Sequence, residues 1–224
     1  MQSWKDIFPK KGEIYFAGAL ENNEDTGTLQ YLASTAMEAG FSTRVLDMQA
    51  LDLQNGRFFD PAGELVNRCF KLYPWEWMVD ESPDGCLAEM EWLEPIWKLV
   101  MSNKAILATL YELFPDSPYV LPCYLSRPRS GLFCKKPVFS REGHNVSVVD
   151  IRNWEEHVRI AETEGDYNTG AYVYQEYVEP TVYSGRYPVI GSWIIGGEAV
   201  GIGIRENRME VTDNLSEFVP HIIG

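Results

Sequence analysis

The chain has 224 residues, 45% of them hydrophobic and 13% aromatic, enough for one large domain or two small ones and too apolar for a disordered chain. A formal charge of −14 at pH 7 leaves no basic footprint for duplex nucleic acid. No apolar run reaches the ~18 residues that span a bilayer, and MQSWKDIFPKKGE lacks the apolar core of a signal peptide, so the expectation is a cytoplasmic protein with acidic solvated faces.

In chain order, EIYFAGAL reads as a strand. EDTGTLQYLASTAMEAG reads as a helix with Leu29, Leu32, Ala33, Ala36 and Met37 on one face and Gly40 as its stop. STRVLDM is a second strand, and strand, helix and strand at this spacing suggest a βαβ unit. Asn55-Gly56 marks a small hairpin, LVNRCFKLY a further strand, and PWEWMVD a Trp-rich turn. The stretch from Leu87 to Phe114 reads as largely helical, broken at Pro95, with Ser102 or Asn103 able to cap the helix that carries Lys104. Beyond it the chain is strand-rich. GLFCKKPV and NVSVVD flank a polar loop, AYVYQEYV is strongly β-prone, and YPVIGSWIIGGEAVGIGIR is a long hairpin turning at Gly196-Gly197. This order predicts an α/β first region (residues 1–80) and an α+β second region (81–224) with an antiparallel sheet and helices.

Several residues have types suited to chemistry. Cys69, Cys86, Cys123 and Cys134 form no C-x-x-C pair and the three histidines are scattered, so neither a zinc site nor a disulfide framework is expected. The loop Ser140-Arg141-Glu142-Gly143 can offer backbone N–H groups and a guanidinium to an anion, although it equally reads as a polar hairpin turn and has no Walker A spacing. Of Lys135 and Lys136, strand alternation lets only one face a cleft, where it would supply a compact positive charge for phosphate. Lys104 is either a phosphate ligand or a snorkelling surface lysine. Gln175 and Glu176, with Glu179, are either a base-reading strand end or an exposed one. Arg205, after alternating glycines, is either a ligand contact or a solvated strand-end charge.

Six blocks, EDTGTLQYL, FKLYPWEWM, EPIWKLVMSNKAILATLYELFP, KKPVFSREGHNV, YVYQEYVEP and YPVIGSWIIGGEAVGIGIRENRMEVTDNLSEFVPHII, resemble in order the glutathionylspermidine synthase family, including its shorter bacterial paralogues. The resemblance runs from about residue 13 to the C-terminus. It implies an ATP-grasp-like fold and an ATP-dependent carboxylate–amine ligase. Such an enzyme would join a glutathione-like peptide carboxylate to a polyamine-like amine through an acyl phosphate, with ATP and Mg²⁺ required. Lys104 and Lys136 then match nucleotide-phosphate ligands. Residues 134–147 match the phosphate lid, usually Gly-Arg-Glu-Gly, with Ser140 in place of its first glycine. Gln175, Glu176 and Tyr177 match the adenine hinge within residues 171–180. Arg205, in the terminal hairpin 186–206, matches the arginine that steadies the transferring phosphoryl group. Glu76 is assigned to a substrate amine.

Family members also carry an upstream Arg-x-Asp stretch and a later Glu-x-Asn, which hold Mg²⁺ and help bind the substrate carboxylate. The resemblance therefore implies that this chain corresponds to the C-terminal portion of a ligase, with the metal ligands on a segment it does not contain. Glu21-Asn22-Asn23 imitates that string in the wrong block. Ser140 and the absent metal ligands leave open a non-catalytic nucleotide-binding or protein-interaction module derived from the family.

Overall fold

The computed structural model describes residues 2–160, 162–167, 170–213 and 216–222. Residues 214, 215 and 223 of the last family-like block lie outside it. The chain falls into two compact units, residues 1–99 and 100–224. Residues 81–99, expected with the second region, belong to the first, whose sheet they extend.

The first unit opens with α1 (Gln2–Ile7) and β1 (Glu13–Gly18), followed by α2 (Asn23–Glu38) and β2 (Ser42–Asp47). β1 and β2 pair in parallel from Glu13↔Ser42 to Gly18↔Asp47, completing the expected βαβ unit. Asn22 caps α2, its side-chain oxygen accepting from the amides of Glu24 (2.9 Å) and Asp25 (3.4 Å). Glu24 and Asp25 add negative charge at the positive end of the helix dipole. The Asn22 oxygen in the Glu-Asn-Asn string thus serves the helix terminus.

Next, β3 (Asp52–Gln54), β4 (Arg57–Phe59) and β5 (Leu65–Val66) form a small antiparallel meander. Its first turn is Asn55–Gly56, at φ 50° and 75°, the left-handed pair that a two-residue hairpin requires. β6 (Arg68–Leu72) returns to pair with β1, and β7 (Glu91–Leu93) pairs with β6, so the main sheet is parallel in the order β2-β1-β6-β7.

β1 is buried along almost its whole length, as a central strand of a parallel sheet must be. Its alternation divides the core. Ile14 and Phe16 meet Leu29, Ala33 and Ala36 of α2, together with Trp4, Phe8 and Phe41. Tyr15 and Ala17 face Phe58, Val66, Cys69, Trp75 and Met78. Met37, placed in the apolar stripe of α2 by its spacing, is 61% exposed; the contact with the sheet is narrower than the stripe, and Met37 lies past its edge. Two further expectations are corrected here. The Trp-rich turn is a helix, α3 (Trp75–Glu81), which buries Trp75 and Met78 and is followed by α4 (Pro83–Cys86). The helix expected from Leu87 onward is interrupted by β7. Trp92 there stacks edge-on against Phe58 (5.5 Å) and Trp75 (5.7 Å), and pairing with β6 overrides the helical propensity of the segment.

The second unit is antiparallel. After α5 (Leu99–Ser102), which spans the division, α6 (Ala105–Leu113) packs on a five-stranded sheet. The sheet contains β8 (Cys123–Tyr124), β9 (Gly131–Pro137), β10 (Ser147–Arg152), β11 (Glu155–Ile160) and β12 (Tyr172–Glu176), in the order β11-β10-β9-β12-β8. One face packs Phe133, Val149 and Ile151 with Tyr174. The other packs Cys123 and Val173 against Ala108 and Leu107 of α6. The terminal hairpin, β13 (Tyr187–Ile195) and β14 (Glu198–Asn207), is joined by β15 (Glu217–Val219) in a second sheet. It turns at Gly196–Gly197, at φ 60° and 85°.

Candidate functional site

The face of the second unit that carries α6 also carries two lysines. The Lys104 amide donates to the carbonyl of Val138 (2.7 Å), tying the start of α6 to the end of β9. Asn103, one of the two expected caps, accepts from the Ala105 amide at 2.9 Å. Lys104 is therefore the residue before the helix, not one inside it, and its side chain leaves from a fixed point. On β9, alternation directs Lys136 to this same face, where its ammonium donates to Gln175 Oε1 (2.8 Å). Lys135 points to the other face and pairs with Glu156 at 2.8 Å. Burial opposes the Lys135 charge, but the hydrogen bond and charge of Glu156 outweigh it and raise the ammonium's pKa.

Lys104, Lys136 and Arg141 line one cavity of about 310 Å³ together with Cys134, Ser140, Glu142, Gly143 and Val146 of the β9–β10 segment and Glu210, Val211 and Thr212 of the loop after β14. That volume lies at the lower end of small-molecule sites. Three cations against two carboxylates give it a positive balance inside a chain of formal charge −14, which is the character of an anion site. Burial pushes the Cys134 thiol up, only partly offset by Lys136, so its neutral form is favoured.

The loop over the cavity is held at both ends. Lys104 Nζ donates to the Ser140 carbonyl (2.5 Å) and to Ser140 Oγ (2.9 Å). A turn follows, closed by the His144 amide on the Arg141 carbonyl (2.8 Å). Asn145, 5% exposed, then fastens the loop: its amide donates to Thr163 O (3.2 Å), its Oδ1 accepts from the Tyr167 amide (2.9 Å) and its Nδ2 donates to Glu162 (3.2 Å). Thr163 Oγ1 donates to the Gly143 carbonyl. Gly143 has φ 74°, and a Cβ there would run into the Thr212 carbonyl oxygen, so only glycine lets loop and wall meet.

The remaining candidates divide. Gln175 touches the cavity's lysine, but the backbone amides of Glu176 and Tyr177 are taken up by Pro122 O (2.7 Å) and Leu132 O (3.0 Å). The Tyr177 hydroxyl donates to Glu210 Oε2 at 2.6 Å. Burial and that hydrogen bond lift the tyrosine's pKa to about 12. Arg205 is not among the residues lining the cavity; it lies opposite Phe218 in the β14–β15 register, with its guanidinium 5.7 Å from that ring. Glu76 belongs to the first unit. There it acts on Lys71, which is 4% exposed, donates to the Tyr73 carbonyl (2.7 Å) and sits 4.0 Å from the Trp75 ring centre. Burial depresses Lys71 to about 8, opposed by the charges of Glu94 and then Glu76, among others. Among the described residues no three His, Cys, Asp or Glu side chains gather to hold a metal ion, and no helix is long and apolar enough to cross a membrane.

Sequence reasoning passed over Glu210, Val211 and Thr212. They follow β14 in an irregular segment shaped by Asn207, whose side chain reaches Val211 O (3.3 Å) and Asp213 (3.2 Å). An Asn-rich polar run after a hairpin was the only signal, and it does not say which way the loop folds.

Fold and cavity define a mixed α/β protein of several sheets with a pocket lined by Lys104, Lys136 and Arg141. The chain belongs to the glutathionylspermidine synthase preATP-grasp family, whose model matches residues 1–224. It is 36% identical over 207 residues to a Haemophilus influenzae protein designated an acid–amine ligase, covering 88% of this chain and 53% of that protein. It is similar to trypanothione synthetase of Crithidia fasciculata, at 36% identity over 57% of this chain and 19% of that one. It is also similar to the bifunctional glutathionylspermidine synthetase/amidase of Escherichia coli, at 26% identity over 89% and 36%. The chain thus spans about half the length of the Haemophilus protein, and less of the others. The crystal structure of D-cycloserine synthetase DcsG overlays with a TM-score of 0.47 at 15% identity, covering 81% of this chain and 64% of that one, a likeness too slight to carry the fold.

Proposed function

We propose that the chain is the nucleotide-binding part of an ATP-grasp carboxylate–amine ligase. A substrate carboxylate oxygen attacks the γ-phosphorus of ATP, ADP leaves, and an amine displaces phosphate from the acyl phosphate to form the amide, losing one proton. A glutathione-like peptide and a polyamine-like amine are the substrates that family membership favours. The observation that carries the reading is the convergence of Lys104, Lys136 and Arg141 on one cavity under a glycine-sealed loop. The ammonium of Lys136, held by Gln175, is a fixed positive charge for a phosphate oxygen. Lys104 supplies a second, and Arg141 a third. Preorganised charges of this kind lower the barrier by meeting charge as it develops on the phosphoryl oxygens. Arg205 is assigned to the transferring phosphoryl group and Glu76 to the substrate amine by family position. Mg²⁺, when bound, would offset negative charge on the phosphates, but the described residues supply no ligand set for it.

The test is ATP binding and amine-dependent ADP release in the protein that carries this chain, comparing wild type with Lys136→Ala and Arg205→Ala. Loss of one charge-assisted contact costs about 1.5–3 kcal/mol, so each variant should weaken affinity or turnover by more than about tenfold. Unchanged kinetics in both would remove the ligase reading.

A further inference from the structure

We infer that Ser140 is a positioning residue, its hydroxyl both aiming Lys104 and donating to the bound phosphate. The inference rests on the phosphate reading of the cavity. A lysine side chain is a flexible stem with a compact charge and loses rotamer entropy when it is held. Here the ammonium is gripped twice by one residue, at 2.5 Å by the Ser140 carbonyl and at 2.9 Å by its hydroxyl oxygen. Ser140 itself cannot drift. It is 8% exposed. Two residues before it, Val138 accepts from the Lys104 amide (2.7 Å) and donates to Ala171 O (3.0 Å). On the far side, Asn145 pins the loop to residues 162–167.

The hydroxyl accepts from Lys104, which leaves its own proton to donate. Ser140 lines the same cavity as Lys136 and Arg141. A hydroxyl that accepts from a cation is polarised and becomes a better donor. Ser140 therefore links Lys104 to an anion in two ways. A glycine at this position would keep the carbonyl contact and lose both functions of the hydroxyl.

The experiment compares wild type, Ser140→Ala and Ser140→Thr in the full chain with two readouts. The first uses no nucleotide: the acylation rate of Lys104 by an amine-reactive ester, mapped by peptide mass spectrometry against Lys135 as internal standard. The second is the dissociation constant for ATP. In Ser140→Ala the Lys104 rate should rise severalfold relative to Lys135, ATP should bind more weakly by on the order of tenfold, and Ser140→Thr should restore both. An unchanged Lys104 rate in Ser140→Ala overturns the positioning role. ATP bound as tightly or more tightly by Ser140→Ala overturns the donor role and shows that the hydroxyl competes with phosphate. If the wild type binds no ATP while the Lys104 rate still responds, the nucleotide reading and the donor role fail together and the aiming of Lys104 stands.

Discussion

Lys71→Met isolates one buried charge. Lys71 is 4% exposed and its pKa falls from 10.5 to about 8. Burial is the main cause, and the Glu94 and Glu76 charges soften it. In the unfolded chain the lysine titrates near its ordinary value. Between about pH 8 and about pH 10 the unfolded state therefore binds more protons than the folded state, and stability gained from this site rises with pH. Below pH 8 both states are protonated and the penalty is constant. Integrated from pH 7 to 10, the gain is about 2 kcal/mol. Methionine fills similar volume and does not titrate, though it forfeits the hydrogen bond to Tyr73 O and the contact with the Trp75 ring. The variant should thus compare best with wild type at pH 7 and lose about 2 kcal/mol against it by pH 10. Urea unfolding of both proteins at several pH values, followed by tryptophan fluorescence, measures the difference, and other titrating groups largely cancel between them. A wild-type-minus-variant difference that stays flat from pH 7 to 10 would refute the buried-charge account.

Gly143→Ala places a Cβ against the Thr212 carbonyl at φ 74°. It should cost more than about 1 kcal/mol, visible as faster hydrogen exchange of the Val146 and Thr163 amides; unchanged protection would show that the loop does not press on that wall. Tyr177→Phe removes the 2.6 Å bond to Glu210 and should lower stability by about 1 kcal/mol while deleting a phenol that titrates near 12. Spectrophotometric titration and the urea midpoint check the two halves of that expectation.

Much of the architecture was legible because it depends on local chemistry. Asn55-Gly56 and Gly196-Gly197 supply left-handed pairs, and both turn hairpins. Gly40, at φ 95°, follows the end of α2 as its stop. Alternation along β9 separates Lys135 from Lys136 without any knowledge of what either meets. Where the reading failed, long-range packing had decided the outcome. Glu91–Leu93 has no strand signature of its own and extends because β6 offers an open edge and Phe58 and Trp75 offer a wall for Trp92. Met37 kept helical spacing and missed the sheet.

The amino-acid sequence by itself determined the kinds of residue available to the site and their order: two lysines, an Arg-Glu-Gly loop and a polar strand end. Only the tertiary structure decided which of them share a cavity. It added Glu210, Val211 and Thr212 to the wall and joined Ser140 to Lys104 across 36 positions of sequence, while Arg205 lies outside that lining. Periodicity reports how a segment meets its immediate neighbours. A pocket is made where separate segments cross, and the positions of those crossings are set by the packing of the sheets that carry them.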